Sequence, residues 1–214
     1  MFRAASIAVV GLSLAVPTAA QAKVIEKTKV TGNSAFATWD YSQDGVITFV
    51  SVNVTNNDVK TKPGGKSKDA FAVVSVLQTD IESGDLLLAG TAEFTATEFT
   101  FTIDKQLSTA RLQASGIFQT SEFQFPPITV DLTWTATGPE VDHKDKSSFE
   151  EDGLKVKMRF QGRHRPAQAD NTSAVSPTGV VIGGEQVTPV PSATGELQFN
   201  KTGSLIIECG GCGN

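Results

Sequence analysis

The strongest constraint on this chain is an alternation of apolar and polar residues with a period of two. It is clearest at Ile128-Thr129-Val130-Asp131-Leu132-Thr133-Trp134-Thr135-Ala136, where every second side chain is apolar. Successive side chains of a strand point to opposite faces, so this segment reads as a half-buried strand and not as a helix. Pro126-Pro127 and Gly138-Pro139 punctuate its two ends, because proline cannot donate to a sheet ladder.

The pattern recurs along the chain. Val46, Val50, Val52 and Val54 share one face of a strand, with Thr48 the polar member of that row. Asp44-Gly45 precedes it as a turn, so residues 35–41 and 46–55 are expected to form a hairpin. Further strands are expected at 71–77, 86–88, 93–95, 99–103 and 112–118. Leu154, Val156, Met158 and Phe160 alternate against Lys155, Lys157 and Arg159, giving one buried and one wet face. Residues 180–182, 196–199 and 204–207 complete the set, the last two joined by a turn at Asn200-Lys201-Thr202-Gly203.

Three polar segments read as loops: a basic one from Asn56 to Asp69, an acidic one from Glu140 to Asp152, and a Pro/Ala/Ser/Thr stretch from Pro166 to Thr178. No window after residue 22 offers a sustained helical period. The expected fold is an all-β, antiparallel β-sandwich, jelly-roll or immunoglobulin-like. Ala37-Thr38-Trp39 and Leu132-Thr133-Trp134 echo one another, which raises two pseudo-repeated halves divided near 120–127. A single domain over 23–208, with a tail at 209–214, is the preferred division.

Location is read from the first residues. Met1-Phe2-Arg3 is a short positive start, Ala4 to Val16 is apolar, Pro17 breaks the run, and Ala20-Gln21-Ala22 fits a signal-peptidase site. The apolar run is well short of the roughly 20 residues that span a bilayer. Residues 1–22 are therefore expected to be a signal peptide cleaved after Ala22, leaving a secreted, extracellular protein without a membrane span. The net charge of −5 argues against a general nucleic-acid binder, which needs clustered positive charge.

Several groups of residues invite a chemical role. Cys209 and Cys212 are the two cysteines; in an exported chain they read as a small disulfide loop. A redox Cys-x-x-Cys site requires a helix after the first cysteine, and the chain ends two residues after the second. A structural zinc would require four ligands. Asp40, Ser42 and Asp44, followed by Gly45, resemble the opening of a calcium loop. Ser51 stands where a bidentate glutamate belongs, so an Asp-rich turn is the plainer reading. Asp142, His143, Asp145, Glu150, Glu151 and Asp152 gather carboxylates near a histidine, but interleaved Lys144 and Lys146 mark a solvated surface.

Two sets of residues are candidates for binding. Arg159, Arg163 and Arg165 share strand parity with Lys155 and Lys157. Such a stripe suits an extracellular acidic polysaccharide, a phosphate-bearing polymer or an anionic surface protein; it also serves as ordinary protection of an exposed strand. Trp39 and Tyr41 share a face and suit a sugar platform if exposed, but Ala35 and Ala37 beside them point toward packing; Trp134 lies in an apolar row and belongs to the core. The reading is a secreted, non-catalytic binding or structural protein without a cofactor. Its alternatives are a hydrolase built on paired carboxylates and a calcium- or zinc-binding extracellular protein.

Overall fold

A computed structural model describes residues 23–151, 154–170, 179–188 and 193–208. Strands account for 81% of it and, among the described residues, there is no helix, hence none long and apolar enough to cross a membrane. Three long strands come first: β1 (Lys23–Gln43), β2 (Val46–Lys62) and β3 (Gly65–Asp80). Shorter ones follow: β4 (Leu86–Thr95), β5 (Phe99–Ile103), β6 (Thr109–Ile117), β7 (Gln119–Thr120) and β8 (Pro127–Ala136). β9 (Val141–Glu151) and β10 (Leu154–Asp170) precede β11 (Gly179–Ile182), β12 (Glu185–Gln186) and β13 (Ala193–Glu208).

All ladders are antiparallel, and they join in one sheet with the order β12-β11-β8-β10-β13-β1-β2-β3-β4-β7. This sheet curls into a half-barrel. β6 pairs with β8, while β7 pairs with β4. Only Phe118, fully buried, separates β6 from β7, so this stretch links the β8 limb of the curl to the β4 limb. Strands from both sides of residues 120–127 thus share the sheet.

The concave face carries the core. Val50, Val52 and Val54 on β2, Ala72, Val74 and Val76 on β3, and Ile128, Val130, Leu132 and Trp134 on β8 are all buried. Each aliphatic side chain withdrawn from water contributes about 1.5–3 kcal/mol. Trp134 crosses the interior, its Nε1 donating to the Phe36 carbonyl oxygen on β1 at 2.9 Å. Gly195 makes room: a Cβ there would overlap that oxygen and lie 3.2 Å from Trp134 Nε1. The Asp44-Gly45 turn forms as expected, with φ of 51° and 81°, the two positive values of a type I′ hairpin.

Three sequence expectations are corrected. Residues 56–69 are not a loop, because β2 and β3 run through them and pair from Asn56↔Ala70 to Thr61↔Gly65. Residues 140–152 contain β9, paired with β10 from Glu151↔Leu154 to Val141↔His164. Asn200 to Gly203 do not turn the chain, since β13 passes straight through with β10 on one side and β1 on the other. The reason is common to all three: a strand held by its neighbours needs no apolar alternation of its own. β10 likewise extends to Asp170. The signal peptide at 1–22, the segment 171–178, and Cys209 and Cys212 lie outside the described residues.

Candidate functional site

Beyond the core, β9, β10, β13, β1, β2 and β3 continue as an open arm of the sheet. Residues directly opposed in an antiparallel pair point to the same face. The register therefore lines up Lys146, Arg159, Gly203, Lys29, Lys60 and Lys66 across all six strands. The neighbouring row toward the tip runs Ser148, Lys157, Leu205, Lys27, Lys62. Toward the core, Arg165, Leu197, Ala35, Val54 and Ala72 form a row on the same face. The basic surface is thus the continuation of the face that lines the core.

Curling turns this surface into a groove of about 730 Å³. Lys27, Lys29, Lys146, Lys157, Arg159 and Lys201, contributed by four strands, line it, and no carboxylate does. All six are ungrouped with any acid among the described residues, where the ion pairs are Arg111–Asp131, Lys155–Glu150 and Arg163–Glu140. Neighbouring like charges repel by on the order of 1 kcal/mol at 4 Å even in bulk water. A chain of net charge −5 thus gathers on one concave surface six cations that make no ion pair among the described residues.

The arginine stripe seen in the sequence is divided by the structure. Lys155 is held by Glu150. Lys157 and Arg159 enter the groove. Arg163 instead donates from Nη1 to both Glu140 carboxylate oxygens at 3.2 Å and from Nη2 to the Lys105 carbonyl at 3.1 Å, lying 5.3 Å over the Phe199 ring. Arg165 donates to the Gly138 carbonyl at 3.0 and 3.1 Å and to the Gln106 carbonyl at 3.2 Å. These two arginines fasten loops 104–108 and 138–140. Between them Leu107, buried at a φ of 53°, plugs the end of the core.

Other expected sites are placed differently. Trp39 is only 4% exposed, and Tyr41 is half-buried with its hydroxyl donating to the Val187 carbonyl at 3.0 Å. They pack on the core side of β1, so an exposed sugar platform at Trp39 and Tyr41 is corrected to interior packing. Asp40, Ser42 and Asp44 are exposed at the end of the first hairpin. Among the described residues, no three His, Cys, Asp or Glu side chains cluster as a metal would require.

The carboxylates with a displaced pKa serve turns. A backbone N–H from Ser83 holds Asp80 below the ordinary carboxylate range, and one from Thr95 does the same for Glu98. For Asp104, partial desolvation pushes upward but is outweighed by N–H groups of Ser108, Thr109 and Gln106 and by the Thr109 hydroxyl. Lowered values suit capping ions; a general acid would require a raised one.

Sequence reasoning found Arg159 and Lys157 and missed Lys27, Lys29, Lys146 and Lys201. Each of the four lies on another strand, and only the register unites them. No protein family, curated protein or solved structure matches the chain.

Proposed function

We propose that this is an exported, non-catalytic protein whose basic groove binds an acidic polysaccharide at the cell exterior. The observation that carries the reading is the convergence of six unpaired cations from four strands on one concave surface. Five of the six are lysines, compact point charges on flexible stems that suit distributed carboxylate or sulfate groups better than a single planar anion. The groove holds no aromatic side chain, so it lacks the stacking platform with which proteins grip single-stranded nucleic acid. Its concavity fits a linear chain, whereas a flat bilayer would touch only the rim.

The first residues support export, with cleavage after Ala22, and the core supports a sandwich-like reading of the closed end. There Trp134 on β8 reaches past Gly195 on β13 to the Phe36 carbonyl on β1, across the inside of the curl. The mass of the protein recovered from culture medium tests the cleavage.

Titration calorimetry with a polyuronate and with a neutral glucan of similar length tests the binding. The expected result is saturable binding of the polyuronate that weakens as salt rises through the range where exposed charges are screened, and none of the glucan. A Lys29→Glu/Arg159→Glu double variant should lose at least about tenfold in affinity, roughly 1.4 kcal/mol. Equal binding of both polymers, or an unaffected double variant, would remove the groove from consideration. Tighter binding of single-stranded DNA than of polyuronate would replace the polysaccharide with nucleic acid.

A further inference from the structure

The arm of the sheet ends on β9, which is paired on one side only. Among the described residues its ladder runs to β10, and no strand lies along its outer edge. That edge extends over Val141–Glu151, and its described side chains are exposed except for half-buried His143. Lys146 N donates to Asp145 Oδ1 at 2.7 Å, which turns that N–H away from β10. In an antiparallel ladder the N–H and C=O of one residue point to the same side, and the side alternates along the strand. Lys144, Lys146, Ser148 and Glu150 therefore present their main-chain groups outward. A long edge with such a row is a template for another strand, and recognition by strand addition draws its affinity from these main-chain groups.

The side chains select which strand. Lys144 and Lys146 precede Ser147-Ser148, and Glu150-Glu151 follow. An antiparallel second copy of β9 centred on Ser147 sets Lys144 opposite Glu150 on both sides of the centre, with Lys146 opposite Ser148 and Asp145 opposite Phe149. No like charges meet, and outward main-chain groups face outward main-chain groups. Centring on Lys144, Asp145 or Lys146 instead sets that residue against its own charge, and centring on Ser148 opposes Asp145 to Glu151. Opposite charges directly across a strand pair stabilise it and like charges oppose it. Glu150 already holds Lys155 on its inner side, and its outer side is the one that Lys144 of the other copy approaches.

We propose that two copies of this chain pair through their β9 edges about a two-fold axis at Ser147, so that the two arms continue as one sheet. The axis is perpendicular to the sheet, and the groove sides of both arms therefore face the same way. Closed two-fold symmetry is the commonest form of self-association. The arm's opposite edge, residues 65–70 of β3 beyond the end of the β4 ladder, is shorter and carries Lys66 and Lys68, charges of the kind that guard an edge. The pairing rests on the β9 edge and its charges, and stands independently of polysaccharide binding in the groove.

The test uses the full mature chain with Cys209→Ser and Cys212→Ser, so that tail thiols cannot join copies. Light scattering should give twice the mass of the chain, falling toward a single chain on dilution. Ser148→Pro removes an outward N–H and leaves the β10 ladder whole, as proline on an edge strand does, and should give single chains. Lys144→Glu and Glu150→Lys should each weaken the dimer at least about tenfold. Mixing those two variants should restore it, because both pairs across the axis then carry opposite charges again. Ser147 meets itself in a pair without main-chain bonds, where Cα atoms lie about 4.5 Å apart, within reach of a disulfide. Ser147→Cys should therefore cross-link two chains under mild oxidation, and Phe149→Cys should not. Single chains at every concentration, no rescue on mixing, or cross-linking by Phe149→Cys in preference to Ser147→Cys would overturn the pairing. So would assemblies larger than a dimer, which need the β3 edge as well.

Discussion

Arg159 on β10 and Gly203 on β13 stand directly opposite one another, and Lys29 on β1 faces the same glycine from the other side. A Cβ on Gly203 would meet nothing within 4 Å. The floor of the groove is open where cations flank it. Gly203→Phe should therefore fill the groove without disturbing the fold. Stability should hold or rise, since glycine in a strand costs about 0.5–1 kcal/mol relative to alanine. Polyuronate affinity should fall at least about tenfold, roughly 1.4 kcal/mol. Denaturant unfolding and calorimetry on the same preparation check both parts, and unchanged affinity would place the polymer elsewhere.

Trp134 and Phe36 tie the β8 limb to β1 through the indole N–H and a main-chain carbonyl. Trp134→Phe removes the donor and with it one hydrogen bond to a part-buried carbonyl, which costs about 0.5–1.5 kcal/mol. Gly195→Ala places a methyl group against the Phe36 carbonyl and the indole, and overpacking of that kind costs about 1–3 kcal/mol. The two effects act on one contact. They should be less than additive in a double-mutant cycle measured by urea unfolding, and simple additivity would show the contact to be incidental.

Arg165 separates fastening from binding. It donates to the carbonyls of Gly138 and Gln106 and approaches Ser108 Oγ at 3.5 Å. Arg165→Ala should speed hydrogen exchange in residues 104–108 and 138–140 and cost about 1.5–3 kcal/mol, the scale of a hydrogen bond to a charged group. Lysine should not restore it, because one ammonium cannot reproduce the guanidinium fork. Polyuronate affinity should change less than twofold, in contrast to Arg159→Glu. A large loss of affinity with unchanged exchange would return Arg165 to the binding surface.

Much of the core was legible in the sequence because it obeys the period-two rule. Val50, Val52 and Val54, and Ile128 through Trp134, are buried as their alternation implies. The arm was not legible for the same reason. Lys60, Lys62, Lys66 and Lys68 read as loop residues because neither face of β2 or β3 is apolar there, and their strand conformation comes from β1 and from each other. Parity along β10 correctly put Arg159, Arg163 and Arg165 on one face. It carried no information about Glu140 or Lys105, which draw Arg163 away from the groove. Lys29 and Lys201 join Arg159 only through pairings remote in sequence, and a period cannot report a register.

Asp104 links the plug to acid stability. Its carboxylate accepts from Gln106 N at 2.7 Å, from Ser108 N at 3.0 and 3.1 Å, and from Thr109 N and Oγ1 at 2.6 and 3.0 Å. Desolvation raises its pKa, and these donors more than reverse that, so the folded value lies below the ordinary one. A depressed folded pKa means that the group's stabilising contribution is complete above the unfolded value, about 3.9. It is lost as pH falls through the lower folded value. Asp104→Asn should thus be less stable than the parent at pH 7, and the difference should stay flat down to about pH 5 before shrinking below about pH 4. Asp80 and Glu98 are unaltered in both proteins, so their own acid titrations cancel in that difference. Urea unfolding of the two proteins from pH 7 to pH 2.5 provides the comparison. A difference that persists undiminished at the acid end would show that the turn is held by shape and not by the ionised carboxylate, and that Leu107 keeps the core closed without it.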